Sequence, residues 1–178
     1  MRYPIRVLVL VMGLFGCMSC RNDVKTHIYH YSGRAMSPTL STNDGLVVKV
    51  GNGWECRGDI VVFHIPGLAA SNLSVTRVVG VENDVIDVIS GRLRVNGKEI
   101  NYSLAQTNIS LETEAYRIGN EKTLQKPAIE VCPIIVPGRH VFVVGDNPSS
   151  SCDSRYWGPL PITNIVGHII DITGRSWQ

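Results

Sequence analysis

The stretch Arg57-Gly58-Asp59-Ile60-Val61-Val62-Phe63-His64-Ile65-Pro66-Gly67 decides the fold class. A short apolar run rich in β-branched residues lies between a Gly-Asp pair and a Pro-Gly pair. It is too short for an ordinary helix and reads as a strand over residues 59–65, closed by a turn. The same signature recurs on both sides. Upstream lies Gly45–Val50; downstream lie residues 75–81, Val85–Ile89 and Arg92–Val95. The last is followed by Asn96-Gly97, a two-residue hairpin signal. Further runs cover residues 134–136, His140–Val144 and residues 165–172, and turn-forming Gly and Pro separate them throughout. No long helical period and no repeat is present. The pattern predicts a mainly β domain of antiparallel sheets. Residues 101–130 are polar and poorly patterned. They read as an insertion or small subdomain in a core made of residues 23–100 and 131–178.

Composition narrows the function classes. Of 178 residues, 44 % are apolar, enough for a core and too many for a disordered chain. Lys+Arg 17 against Asp+Glu 15 leaves a net charge of +2, with no basic stretch to suit a nucleic-acid partner. The charged fraction is low, and part of the reason sits at the N-terminus. Arg2 and Arg6 precede residues 7–18, which are uncharged and almost wholly apolar. A basic start and a short apolar run match a secretory signal, and the run falls short of the ~20 residues of a full spanning helix. The arginines predict a cytoplasmic N-terminus and an exported remainder. Residues 1–22 thus read as a signal or membrane anchor. Leu14-Phe15-Gly16-Cys17 resembles a bacterial lipobox, although Phe15 is bulky for its place. Lipidation at Cys17, an uncleaved anchor and an ordinary cleaved signal all stay open. Cys17 and Cys20 lie in this leader; Cys56, Cys132 and Cys152 lie beyond it. Their spacing fits no zinc pattern, and neither a metal nor a cofactor is expected. In an exported domain a Cys132–Cys152 disulfide is the preferred pairing, with free thiols as the alternative.

Four stretches, taken in order, resemble type I signal peptidases. The first is Ser32-Gly-Arg-Ala-Met-Ser-Pro-Thr-Leu40, followed by Asn43-Asp-Gly-Leu-Val-Val48. The second is Arg57-Gly-Asp-Ile-Val-Val-Phe63. The third is Thr76-Arg-Val-Val-Gly80, with Asn96-Gly97 downstream. The fourth and most distinctive is Gly145-Asp-Asn-Pro-Ser-Ser-Ser-Cys-Asp-Ser-Arg-Tyr-Trp-Gly158. Together they span most of residues 32–172. The resemblance implies a signal-peptidase-like β-domain, held at the membrane on its outer side, that acts on the leader peptides of exported proteins. It also implies a Ser/Lys pair. The serine attacks the scissile carbonyl, and a lysine kept neutral by apolar burial takes its proton. Oxyanion donors stabilise the intermediate.

The sequence departs from that pattern at both chemical positions. Ala35 stands where the resemblance puts the nucleophile, and Thr76 where it puts the general base. Alanine has no nucleophilic atom, and a threonine hydroxyl is no base near neutral pH. The surrounding positions match. Asp146, Asn147, Ser151, Asp153 and Arg155 fall on the supporting shell, with Asp153 and Arg155 expected as a buried ion pair. Gly33 and Ala35 fall on the oxyanion-hole region. Met36, Ser37 and Pro38 are expected to line the substrate groove, with Leu40, Ile28 and Tyr29 as further candidates. In an extended segment Ser37 would share a face with position 35 but lie ~6–7 Å further along. His64, at a strand end, and Lys49, in a strand, are weaker candidates for a base. The leading expectation is therefore an exported, membrane-tethered, catalytically inactive protein. It would bind leader peptides or exported proteins, or assist surface-protein processing or assembly. The alternative is an active type I signal peptidase with an unusual or engineered centre, for instance Ser37 with His64. Oligomeric state stays open.

Overall fold

Val61, Val62 and Phe63 are all buried, at 0, 1 and 0 % exposure, so the deciding run is covered on both faces. A strand with apolar side chains on both faces belongs inside a sheet rather than at its edge. The computed structural model, which describes residues 25–53, 55–67, 73–89, 92–100 and 133–173, puts it there. The leader, the 101–130 segment, Cys17, Cys20 and Cys132 lie outside the described residues.

The strands, in chain order, are β1 (Thr26–His30), β2 (Gly45–Val50), β3 (Ile60–His64), β4 (Leu73–Gly80), β5 (Val85–Ile89), β6 (Arg92–Val95), β7 (Lys98–Glu99), β8 (Ile134–Ile135), β9 (His140–Val144), β10 (Leu160–Pro161) and β11 (Ile165–Thr173). They form two antiparallel sheets. The larger runs β1-β2-β11-β3-β4-β9-β10 and the smaller β7-β6-β5-β8. The mainly β, antiparallel expectation is the observed architecture. Three short or exposed strands go beyond it. β1 is a mostly exposed edge strand, and β7 and β10 have two residues each. A single helical turn, α1 (Ser154–Trp157), is capped by the Asp153 side chain, which accepts from the Arg155 amide.

Cross-strand register explains how the core divides. Val61 pairs with Thr76, Val62 with Val75 and Phe63 with Ser74. Paired residues share a face and neighbours alternate. One face buries Val61, Phe63, Val78, Val141 and Val143, and α1 packs there through Trp157, whose ring centroid lies 6.1 Å from that of Phe63. The other face buries Val62 with Tyr31, Met36, Leu40, Leu46 and Val48. Further along, Val79, Phe142 and Val144 meet Ile86, Leu93 and Val95 of the small sheet. Gly80 allows that approach, because a Cβ there would lie 2.6 Å from Ile86 Cδ1. The Asn96-Gly97 signal is the β6–β7 turn, with φ of 53° and 75°, a pair of positive values that tight hairpins require. Arg57 adds a polar tie between the sheets: its Nε donates to Asp84 Oδ2 at 2.7 Å.

Candidate active site

Residues 31–44 form a loop closed on itself. The Tyr31 amide donates to the Asp44 carbonyl at 2.9 Å, and the Asn43 amide donates to the Tyr31 carbonyl at 2.9 Å. Inside the loop the chain turns. The Ser37 amide reaches the Arg34 carbonyl at 3.2 Å, and the Leu40 amide reaches the Met36 carbonyl at 2.8 Å. Met36 and Leu40, at 0 and 1 % exposure, anchor the turn in the core, and the Met36 amide donates to Tyr31 Oη at 3.0 Å.

The turn bears on two readings of the sequence. The segment is not extended, so the spacing argument for Ser37 does not apply. Met36 and Leu40 are core side chains, not groove residues, because the loop folds back onto Tyr31. A cleft of about 450 Å³ opens beside the loop, and Ser37 and Pro38 do not line it. Its lining includes Tyr29 of β1, Tyr31, Gly33 and Ala35 of the loop, and Val62, Ile65, Leu73 and Val75 from β3, β4 and the turn after β3. Tyr29 was expected there; Ile28 is instead 65 % exposed.

The polar shell converges on Gly145, just after β9. The Asn147 amide donates to the Ala35 carbonyl at 2.8 Å. A Cβ on Gly145 would lie 2.7 Å from that carbonyl oxygen and would overlap Ser151 Oγ. Only glycine fits, so Ala35 and Ser151 approach from two sides. Arg77 pairs with Val144 and Val78 with Val143. Carried one residue on, that register sets Thr76 opposite Gly145. Ala35, Thr76 and Ser151 thus surround one glycine. Thr76 is 1 % exposed, and its Oγ1 has no hydrogen-bond partner among the described residues.

Behind this corner the charges are paired. Asp153, fully buried, accepts from the Gly145 amide at 2.9 Å, Ser151 Oγ at 2.7 Å, and Arg155 Nε and Nη2 at 2.8 and 2.9 Å. The expected Asp153–Arg155 ion pair is therefore present. Burial alone would lower the Arg155 pKa; the adjacent Asp153 carboxylate outweighs it and raises it. Asp146 holds Arg77 through two bonds, Nε to Oδ1 at 2.8 Å and Nη2 to Oδ2 at 2.6 Å, and also accepts from the Thr39 hydroxyl. Arg77 and Thr39 were not singled out from sequence, although both lie inside the recognised motifs. Cys152 is a free, half-buried thiol. Burial, reinforced by Asp153, pushes it up to about 11.

The remaining candidates fall elsewhere. His64 ends β3 but does not line the cleft; its Nδ1 is buried with no hydrogen-bond partner among the described residues. Lys49 pairs across to Thr26 and His168 and is also absent from the lining. Ala35 lines the cleft with its carbonyl bonded to the Asn147 amide, and its methyl cannot attack a carbonyl. Among the described residues there is no cluster of three metal-ligating side chains and no helix long and apolar enough to cross a membrane.

The family described as "Signal peptidase, peptidase S26" matches residues 4–172. The chain is 32 % identical over 145 residues to signal peptidase I of Leptolyngbya laminosa, covering 76 % of this chain and 63 % of that one. It is 31 % identical over 148 residues to the chloroplastic thylakoidal processing peptidase 1 of Arabidopsis thaliana, covering 76 % and 38 % respectively. It thus spans less than two thirds of the length of either relative. A crystal structure of a signal peptidase I from Enterococcus faecalis is similar with a TM-score of 0.46 and 23 % identity, covering 67 % of this chain and 99 % of that one.

Proposed function

Because the chain belongs to the signal peptidase family, peptidase S26, we propose that it binds leader peptides of exported proteins in the 450 Å³ cleft without cutting them. It does so outside the cytoplasm, held at the membrane by its N-terminal segment. One observation carries this reading. By the motif resemblance Ala35 falls on the nucleophile position; its side chain is a methyl with no nucleophilic atom, and its carbonyl lies beside Gly145 and Asn147. Thr76 supports it from the strand opposite, with a hydroxyl in the place of a base. Dyad members act as a unit, so the loss of both leaves no partial dyad. The ordered shell around the corner keeps the loop and strands in place, which a binding groove needs as much as a catalytic one.

An exported preprotein and the leader peptide cut from it test the two halves of this proposal. The intact chain should leave the preprotein uncut over hours at micromolar protein, while a fluorescent leader peptide should bind it with measurable anisotropy change. Processing abolished by Ser37→Ala or His64→Ala would transfer the reading to an active peptidase with a displaced centre. Absence of peptide binding would remove the binding half.

A further inference from the structure

The cleft is one-sided in charge. Among the described residues lining it, Arg34 is the only one with a permanent charge, and none is Asp or Glu. Arg57, Arg77, Arg92, Arg94 and Arg155 each meet a carboxylate. The Arg34 side chain is exposed and meets none among the described residues. It directly precedes Ala35, and the two line the same cleft. The rest of the lining is mixed, with Leu46, Val62 and Val75 beside His30, Ser32, Ser74 and Ser150. A cleft of about 450 Å³ is of the size that encloses a ligand of a few residues.

Atom counting in the cleft favours one kind of peptide end. An uncut peptide presents one carbonyl oxygen there; a peptide ending there presents a carboxylate with two. The carboxylate carries a full negative charge that the uncut carbonyl lacks, and Arg34, the one permanent cation among the described lining residues, distinguishes the two. On the peptide-binding reading, we infer that the cleft prefers a free C-terminal carboxylate, the end of a leader peptide already released by cleavage. Arg34 supplies the charge-assisted partner. The ligand would be the product of a leader-peptide hydrolysis carried out elsewhere.

The test uses the full-length protein in detergent and a fluorescein-labelled leader peptide in three forms. These are the C-terminal acid, the C-terminal amide, and the amide with an aspartate as last residue. Anisotropy titration should show the acid binding about tenfold tighter than either amide, in keeping with one charged hydrogen-bonded contact. The preference should shrink with added salt, fall below about twofold in Arg34→Gln and survive in Arg34→Lys, the loss expected when a contact of that size is removed. Near-UV circular dichroism confirms that the variants fold. Equal affinity for acid and amide overturns this inference and leaves peptide binding standing. An aspartyl amide binding as tightly as the acid overturns the claim for the chain end. Binding of none of the three overturns both this inference and the reading it rests on.

Discussion

Thr76 is the residue whose chemistry fits its surroundings least. A buried hydroxyl without a partner costs about 1–3 kcal/mol, and Thr76 Oγ1 has none among the described residues. Thr76→Val keeps the shape and removes the hydroxyl, so it should stabilise the fold by about 1 kcal/mol in urea unfolding. Asp153 is the opposite case, since it accepts from the Gly145 amide, the Ser151 hydroxyl and the Arg155 guanidinium. Asp153→Ala leaves Arg155 charged and buried, and a loss of about 3–5 kcal/mol is expected. Asp153 and Arg155 are two residues apart, which is why their pairing was legible in the sequence. Arg77 and Asp146 are 69 apart. Their pairing follows only from the β4–β9 register, which no local pattern reveals.

At the scale of elements, strands with apolar side chains on both faces were the easiest to read. β2 and β9 coincide with the runs expected for them, because consecutive buried positions force consecutive apolar residues. β1 is mostly exposed and carries Thr, His and Tyr, so only its pairing with β2 defines it as a strand. The Met36–Leu40 turn carries no local signal for a related reason. Its anchor is the Tyr31–Asp44 closure, a contact between residues 13 positions apart along the chain. The sheet-to-sheet contact at Gly80 belongs to this scale as well. A Cβ there would meet Ile86 and Phe142. Gly80→Ala should therefore cost about 1–3 kcal/mol by overpacking. Gly80→Ala combined with Ile86→Val should recover part of it, read as a shift in urea midpoint at unchanged slope. No recovery would mean that the strain lies elsewhere.

Across the whole molecule, pH acts on two groups at opposite ends of the scale, buried Asp84 and half-buried Cys152. Burial alone would raise the Asp84 pKa, but the bonds from Arg57, Val81 and Asn96 outweigh it and lower it. A lowered folded pKa gives stability that is present above the unfolded value near ~3.9 and is lost as pH falls through the folded value. Asp84→Asn should flatten the acid limb of a stability profile. Cys152 has the reverse sign. With the thiol pushed up to about 11, its contribution is complete below the unfolded value of ~8.5 and is lost as pH rises from there towards the folded one. Cys152→Ala should flatten the alkaline limb, and peptide mapping should find Cys152 slow to alkylate at neutral pH. The family was legible because its motifs are local in sequence. The lining of the cleft was not, because it is assembled from β1, the loop after it, β3 and β4.

The central claim is that the peptidase framework persists and that the Ser/Lys pair is what separates this chain from catalysis. The most direct test measures preprotein cleavage by the wild-type chain and by the Ala35→Ser/Thr76→Lys double variant in parallel. The account predicts background rates for the wild type and specific release of the leader by the double variant. Wild-type cleavage well above the protein-free background would contradict it.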